Sequence, residues 1–353
     1  MALHIVDGLG STRLKKLLDY FHDPQLAWEA KISEWRNVHL PEQVISRWQK
    51  TKQSFNIPDY FKSLSDSKIQ VVTFFDEEYP SILKEIYDPP LIIYYRGDIS
   101  IFQKPAIAVV GTRKITSYGR IVTEKLVTEL VQAGLVIVSG LARGVDTLAH
   151  QVTLRNGGLT AAVLGAGLFN IYPSENLQLS WDIVENGGVV ICEHPPSYPV
   201  FQGVFPARNR IISGLSIGVV VTEAAEDSGS MITARMGLEQ GRDVFAVPGP
   251  ITSSLSAGPA HLIKEGAKLV YRSSDILDEL DIDQKIKDPD QAVLNLSQVE
   301  KRILDSLENE QKHIDEISRE LRIVSSEVAG SLIKMEIRGF VKNLGGGVYL
   351  KNF

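Results

Sequence analysis

The sequence holds a single cysteine, Cys192, among 353 residues. One thiol excludes an internal disulfide framework and a cysteine-rich zinc site. Its setting, VVICEHPP, places it at a strand end as a small buried side chain. Long apolar runs are also missing, so no segment reads as a membrane span. The opening MALHIVDGLGSTRLKK does not read as a signal peptide, and a cytoplasmic protein is expected. Positive charge is in short supply: 37 Lys and Arg face 43 Asp and Glu. The deficit sits mainly after residue 270, where 12 basic residues meet 16 acidic ones, against 12 and 13 over residues 106–270. Any anion-binding face must therefore be a local patch. Common catalytic signatures are missing too. No G-x-x-x-x-G-K-[ST], H-E-x-x-H or G-x-S-x-G occurs, which argues against a P-loop ATPase, a zincin and an α/β-hydrolase. Gly165-x-Gly167-x-x-Asn170 lacks the third glycine of a dinucleotide fingerprint.

What is present is organised around AIAVVGTRKITSYGR, residues 106–120. Ile107 to Val110 reads as a buried strand, Gly111 ends it, and Ser117 is a candidate N-cap for a helix running to about Ala133. Such a junction offers free backbone N–H groups and a positive dipole end, where a phosphate can sit. Arg113 adds a planar fork suited to phosphate oxygens. From 106 to about 272 the pattern repeats: apolar strand, glycine turn, helix. Strands near 135–138, 160–164, 189–192, 217–221 and 244–247 imply a mostly parallel sheet covered on both faces. Ligands of such sheets bind beyond the strands' carboxyl ends. The pieces at 69–74 and 91–95 are expected to sit beside this sheet.

The flanks differ. Gly8-Leu9-Gly10 before Thr12–Phe21 looks like half of a helix-hairpin-helix, and helical patterns continue near 25–36 and 41–55, with Trp28, Trp35 and Trp48 as core anchors. The predicted organisation is a helical region over 1–65, the α/β domain over 66–274, a linker over 275–292 and a final domain over 293–353. Three helical patterns and a hairpin around Gly345-Gly346-Gly347 make that last part look like a winged helix. Its would-be recognition helix carries Glu327, Lys334, Glu336 and Arg338, whose charges cancel, so protein contact or packing suits it better than DNA reading.

Several constellations are candidates for chemistry. Asp146 and His150 lie four apart on one helix and share a face. With no third ligand nearby in sequence, a structural hydrogen-bonding role is read for them, and no metal or cofactor is expected. Arg208, Asn209 and Arg210 are read at a helix start before a core strand. With Arg113, Lys114 and Arg143 from other strand ends they would form one basic mouth. Phe205, Tyr118 or Tyr172 could stack on a base. The ordinary alternative is that these arginines pair with Glu223, Glu226 and Asp227. Gly229-Ser230 opens a second helix and a second anion site, unless Ser228 or Ser230 simply caps it.

These motifs resemble the DNA-processing DprA/Smf family: V-V-G-T-R at 109–113, S-G-L-A-R-G-V-D at 139–146, Y-P-x-E-N at 172–176, F-P-A-R-N-R-I-I-S-G-L at 205–215 and T-E-A-x-x-x-S-G-S-M-I-T-A at 222–234. G-R-D-V-F-A-V-P-G at 241–249 and G-P-A-H-L-I-K-E-G-A at 258–267 belong to the same set. The resemblance implies an α/β, extended Rossmann-like fold with an N-terminal helical (helix-hairpin-helix or SAM-like) domain and a C-terminal winged helix. It implies a homodimer without catalytic turnover that binds single-stranded DNA in natural transformation, works alongside single-strand-binding protein and loads RecA. By carry-over, Gly111, Thr112, Arg113, Lys114, Arg143, Arg208, Asn209, Arg210, Gly229 and Ser230 would line the DNA pocket. Leu262, Ile263 and Leu269 would lie near the dimer face. In some relatives the residue before the glutamate of Y-P-x-E-N is basic; here it is Ser174. Two other readings stand beside this one. One is a nucleoside-monophosphate phosphoribohydrolase using Glu223, though its P-G-G-x-G-T loop is absent. The other is a protein adaptor acting through the tail.

Overall fold

Short β-branched runs set the architecture of the computed structural model, which describes residues 1–201, 203–282, 296–307, 310–337 and 340–351. It divides into two compact units, Met1–Lys285 and Ile286–Phe353.

The first unit opens with helices α1 (Ser11–Phe21), α2 (Pro24–Glu29), α3 (Ile32–Asn37), α4 (Glu42–Ser54) and α5 (Ile57–Asp66). Strand β1 (Gln70–Thr73), helix α6 (Ser81–Lys84) and strand β2 (Ile92–Gly97) follow. Then comes the alternation: β3 (Ala106–Val110), α7 (Ser117–Gln132), β4 (Val136–Ser139), α8 (Val145–Arg155), β5 (Thr160–Leu164), α9 (Leu177–Glu185) and β6 (Val189–Cys192). It continues with α10 (Val204–Gly214), β7 (Gly218–Val221), α11 (Gly229–Glu239), β8 (Asp243–Ala246), α12 (Ala257–Lys264), β9 (Lys268–Leu269) and α13 (Ser274–Glu279).

The strands form one sheet in the order β1-β2-β6-β5-β4-β3-β7-β8-β9. All neighbours from β6 to β9 run parallel, while β1 and β2 pair antiparallel. The 69–74 and 91–95 pieces therefore extend the sheet itself. After β3 the chain first builds outward through β4, β5 and β6, then returns to the other side of β3 with β7. That reversal is the topological switch point, and it opens a crevice at the carboxyl ends of the central strands. Every residue of β3 is buried, as a strand covered on both faces requires. Helix α7 is capped not by the expected Ser117 but by Thr116, one residue earlier, and the Thr116 side chain accepts from the Gly119 N–H.

Alternation along each strand divides the core into two faces. On β2, β5 and β6, Ile93, Tyr95, Ala161, Val163, Val189 and Ile191 join the cluster with α6, α10, α11 and α12. Their neighbours Ile92, Tyr94, Ala162, Leu164, Val190 and Cys192 pack with the N-terminal helices. Those helices thus share the core of the sheet. Trp35 and Trp48 are buried and stacked 4.1 Å apart, whereas Trp28 is only partly buried. The expected 25–36 helix is broken at Ala30 and Lys31. Residues 274–279, placed mostly in the predicted linker, form α13 because Ile276 and Leu277 reach the core. The predicted linker residues 283–292 lie outside the described residues.

In the second unit, α14 (Gln298–Ser306), α15 (Ile314–Leu321) and α16 (Ser325–Ile337) enclose Ile303, Ile317, Val328 and Leu332. Strands β10 (Lys312–His313), β11 (Val341–Gly345) and β12 (Val348–Lys351) add a small sheet in the order β10-β12-β11. This is the expected winged helix. Among the described residues no helix is long and apolar enough to cross a membrane.

One ionic cluster ties the N-terminal helices to the sheet. Arg210 on α10 donates to both oxygens of Glu193 at 2.8 Å and to Asp88, and Ser11 at the start of α1 donates to the same Glu193. Burial raises the pKa of Glu193, but Arg210 and Ser11 outweigh it and hold the carboxyl below its usual range. A depressed carboxyl stabilises the fold fully above its unfolded value and loses that contribution as acid titrates the folded state. Arg210→Ala is expected to cost roughly 3–5 kcal/mol at neutral pH in denaturant unfolding, because it leaves Glu193 buried without its partner. Glu193→Gln should flatten the fall in stability below about pH 4.

Candidate nucleic-acid interface

Loops after β3, β4 and β7 and one face of α10 meet over the switch point in a cleft of about 620 Å³. Gly111, Thr112, Arg113 and Lys114 form one wall, Ser228, Gly229 and Ser230 another, and Arg208 and Asn209 the base. Tyr172 and Phe205 stand 5.6 Å apart beside them, and the Arg113 guanidinium lies over the Phe205 ring.

The β3 wall is shaped by Glu223. Its main-chain oxygen accepts from the Thr112 N–H at 2.7 Å, and its carboxylate accepts from the Thr116 N–H and hydroxyl. A Cβ on Gly111 would meet Val145 at 2.6 Å and the Glu223 oxygen at 2.8 Å, so the turn admits only glycine. Opposite, α11 begins at Gly229, with Ser228 as its cap. The Gly229 N–H has no partner among the described residues, and the dipole of α11 is directed toward the cleft. Asn209 ties this helix start down by donating to the Gly229 oxygen at 3.1 Å.

Arg208 is the buried charge of the site. Its Nη1 donates to the Gly140 oxygen at 2.6 Å and to the Val163 oxygen, closing the ends of β4 and β5. Nε donates to Asn209, and Nη2 has no hydrogen-bond partner among the described residues. Burial, followed by repulsion from Arg113, lowers its pKa to about 10 against the pull of Asp146, so it stays charged at neutral pH. Asp146 is buried as well and pushed up to about 6, with Arg208 and the Gly140 and Ala142 N–H groups opposing that rise.

The loop between β4 and α8 carries strain. Leu141, fully buried, holds φ +57°, a left-handed conformation costly for a bulky side chain. Asn176 braces it by donating to the Leu141 oxygen and to the Thr147 hydroxyl, both at 2.8 Å. Glu175 of the same Y-P-x-E-N segment pairs with Arg143 at the surface.

The predicted residues are therefore divided. Gly111, Thr112, Arg113, Lys114, Arg208, Asn209, Gly229 and Ser230 line one cleft. Arg143 stands outside that lining, exposed and bonded to Glu175. Arg210 does not face the cleft: the helix starts at Val204, not at Arg208, and side chains two apart on a helix point roughly 200° apart. The alternative pairing with Glu223, Glu226 and Asp227 is not what forms: Arg210 pairs with Glu193 and Asp88, and Arg143 with Glu175. Tyr118 donates to the Pro248 oxygen outside the lining. Leu262 is fully buried in its own core and presents no surface for a dimer, Ile263 packs partly buried against that core, and Leu269 is half exposed on the edge strand β9. Gly165 and Gly167 allow close packing against Val204 and the Pro195–Pro196 backbone. His150 bonds to Thr160 rather than to Asp146, and among the described residues no metal-ligand cluster exists. Sequence reasoning missed Asn176 and Gly140, although both lie inside the matched motifs.

The sequence profile described as DNA recombination-mediator protein A matches residues 70–281, and that of the DprA winged helix domain matches residues 287–347. A DNA processing protein DprA from Streptococcus pneumoniae is 42% identical over 278 residues, covering 78% of this chain and 95% of that protein. The X-ray structure of DprA from the same species superposes with a TM-score of 0.68 at 38% identity, over 79% of this chain and 95% of the other. A Helicobacter pylori DNA processing protein A, whose structure is reported for its single-stranded DNA binding mode, gives 0.55 at 31% identity, over 61% and 97%.

A Cβ at Gly140 would meet Arg208 Nη1 at 2.4 Å, and one at Gly229 would meet nothing within 4 Å. Gly140→Ala is thus expected to cost about 1–3 kcal/mol in denaturant unfolding. Gly229→Ala should be neutral or stabilising by up to about 1 kcal/mol, and equal costs at the two positions would refute the packing argument.

Proposed function

The chain belongs to the DNA recombination-mediator protein A family, the DprA and Smf proteins, and from that membership we propose that its cleft holds single-stranded DNA. The observation that carries the reading is convergence. Arg113, the free donor edge of Arg208 and the α11 N-terminus all face one crevice, although they come from three distant parts of the chain. Phosphates take charge-assisted hydrogen bonds from these groups, while Tyr172 and Phe205 offer faces to bases without preference for sequence. The H. pylori relative, with its single-stranded DNA binding mode, supports the same assignment.

The proposal extends to a binding protein without turnover that acts in transformation and recombination in the cytoplasm, loads RecA and works alongside single-strand-binding protein. Two copies would meet near Leu269 and Ile263, on the β9 side of the sheet. The phosphoribohydrolase reading is not favoured. Its acid, Glu223, is buried against Thr116 and Gly119 and is outside the cleft lining. Incubation with AMP is expected to release no adenine.

Arg113→Ala should weaken single-strand binding roughly tenfold at moderate salt and make the log–log salt slope shallower by about one unit. Gel shifts with single- and double-stranded DNA at two salt concentrations measure both effects. Unchanged affinity would remove the cleft as the binding site.

A further inference from the structure

We propose that Arg96, with Trp181, Phe169 and Leu177 around it, is a docking point for a partner protein, and that it takes a single carboxylate carried on an otherwise apolar peptide segment. None of these residues lines the cleft. The inference does not depend on the single-strand reading.

The argument starts from an arginine without a counter-charge. Arg96 lies near the end of β2 and is partly buried. Its Nε donates to the Ser67 oxygen at 3.1 Å and its Nη1 to the Leu168 oxygen at 3.2 Å, so the side chain clamps the end of α5 to the loop after β5. Both partners are neutral. Nη2 donates to nothing among the described residues, yet it is not sealed from solvent. Burial pulls the Arg96 pKa down, and no carboxylate opposes that pull. The one group that raises it is the Cys192 thiol, whose own pKa burial pushes up to about 12, so it carries no charge at neutral pH. Arg210 and Arg242, similarly withdrawn from water, each hold a carboxylate. Arg96 has the same need and meets it with no acid of its own among the described residues.

Its surroundings hold the guanidinium ready. The guanidinium carbon lies 4.8 Å from the Trp181 ring centroid and 5.9 Å from that of Phe169. Two main-chain oxygens and two rings fix its plane, so a ligand would cost it little side-chain freedom. Leu177 lies one turn before Trp181 on α9 and shares its face. Phe169 is 52% exposed and Leu177 48%, which makes Leu177, Trp181, Arg96 and Phe169 one apolar strip with a charge in its middle. Arginine packed between aromatic rings is the composition of an interface hot spot. The charge is also solitary on this side, because α9 carries Asp182 and Glu185 and no lysine or arginine. A nucleic-acid backbone is held by a run of cations. One carboxylate between apolar side chains needs one cation and an apolar strip, and both are present here.

The carboxylate can come from an acidic side chain or from a chain end, and three acetylated tripeptides separate the cases. Ac-Phe-Glu-Leu-NH2 and Ac-Phe-Gln-Leu-OH carry one carboxylate each, and Ac-Phe-Gln-Leu-NH2 carries none. The test follows the tryptophan indole N–H signals of the isotope-labelled full chain by NMR, with Trp181 assigned through Trp181→Phe. At least one charged peptide is expected to move the Trp181 signal to saturation with a Kd near or below about 1 mM, and the neutral peptide to bind roughly tenfold more weakly. The tighter of the two charged peptides identifies the source of the carboxylate. Leu177→Asp puts a negative charge on the strip at the first position of α9, where an aspartate suits the helix. It should weaken the charged peptides roughly tenfold and leave oligothymidylate affinity within about twofold. No response to either charged peptide, or equal responses to all three, overturns the proposal. So does a Trp181 response to oligothymidylate that Leu177→Asp abolishes, which would give the strip to nucleic acid. Concentration-dependent broadening of Trp181 without peptide overturns it in favour of a second copy of the chain. The peptide comparison needs no variant, so a folding defect in Leu177→Asp does not shelter the proposal.

Discussion

The buried guanidinium of Arg208 is the constraint around which this cleft is arranged. It crosses from α10 to the ends of β4 and β5 and takes two main-chain oxygens there. A charge so largely buried is tolerable only with several fixed partners and a counter-charge nearby. Asp146 supplies the charge, and Gly140 supplies both an oxygen and the space. The left-handed Leu141 follows from the same demand. Gly140 must present its oxygen to Arg208 and its N–H to Asp146, and the next residue absorbs the turn with Asn176 holding it. The cleft-lining residues Gly111 to Lys114, Arg208, Asn209, Gly229 and Ser230 are consequently mounted on strand ends and helices.

Much of this was legible in the sequence, for identifiable reasons. The parallel strands announce themselves as apolar runs ending in glycine, because both faces of each strand are buried. The β3 turn and the α11 start, which meet at the cleft, could be read from residue type alone as a strand ending in glycine and a capped helix start. The placement of Arg210 could not. Its partner Glu193 belongs to the EHPP segment, and Ser11 lies far away at the first helix. Nothing local distinguishes an arginine bound for the interior from one bound for the cleft two positions earlier. The decisive quantity was the helix start at Val204, which sets the angle between the two. Leu262 shows the same ambiguity, since an apolar residue on a short amphipathic helix fits its own core, where it is buried, as well as a partner.

The N-terminal helices show a different limit. Their composition reads as a separate helical region, yet their apolar sides cover Ile92, Tyr94, Ala162 and Val190 of the sheet. Alternation along β2, β5 and β6 reveals that both faces of these strands need covering, without saying which segment covers them. Gly8-Leu9-Gly10 reads in the sequence as half of a helix-hairpin-helix. Leu9 is buried, and Arg13 donates to the Gly8 oxygen. The residue after that turn, Ser11, is used inward on Glu193.

Helix α10 works as a rivet through the first unit. One side grips the cleft floor through Arg208 and Asn209; the opposite side is clenched by Glu193 and Asp88, and through Glu193 by Ser11. Tension on a ligand seated against Arg208 would therefore run through the shank of the helix into the N-terminal bundle. The sheet ends do not bear that load alone, and a hauled polymer would meet the stiffness of the whole unit rather than of a single loop.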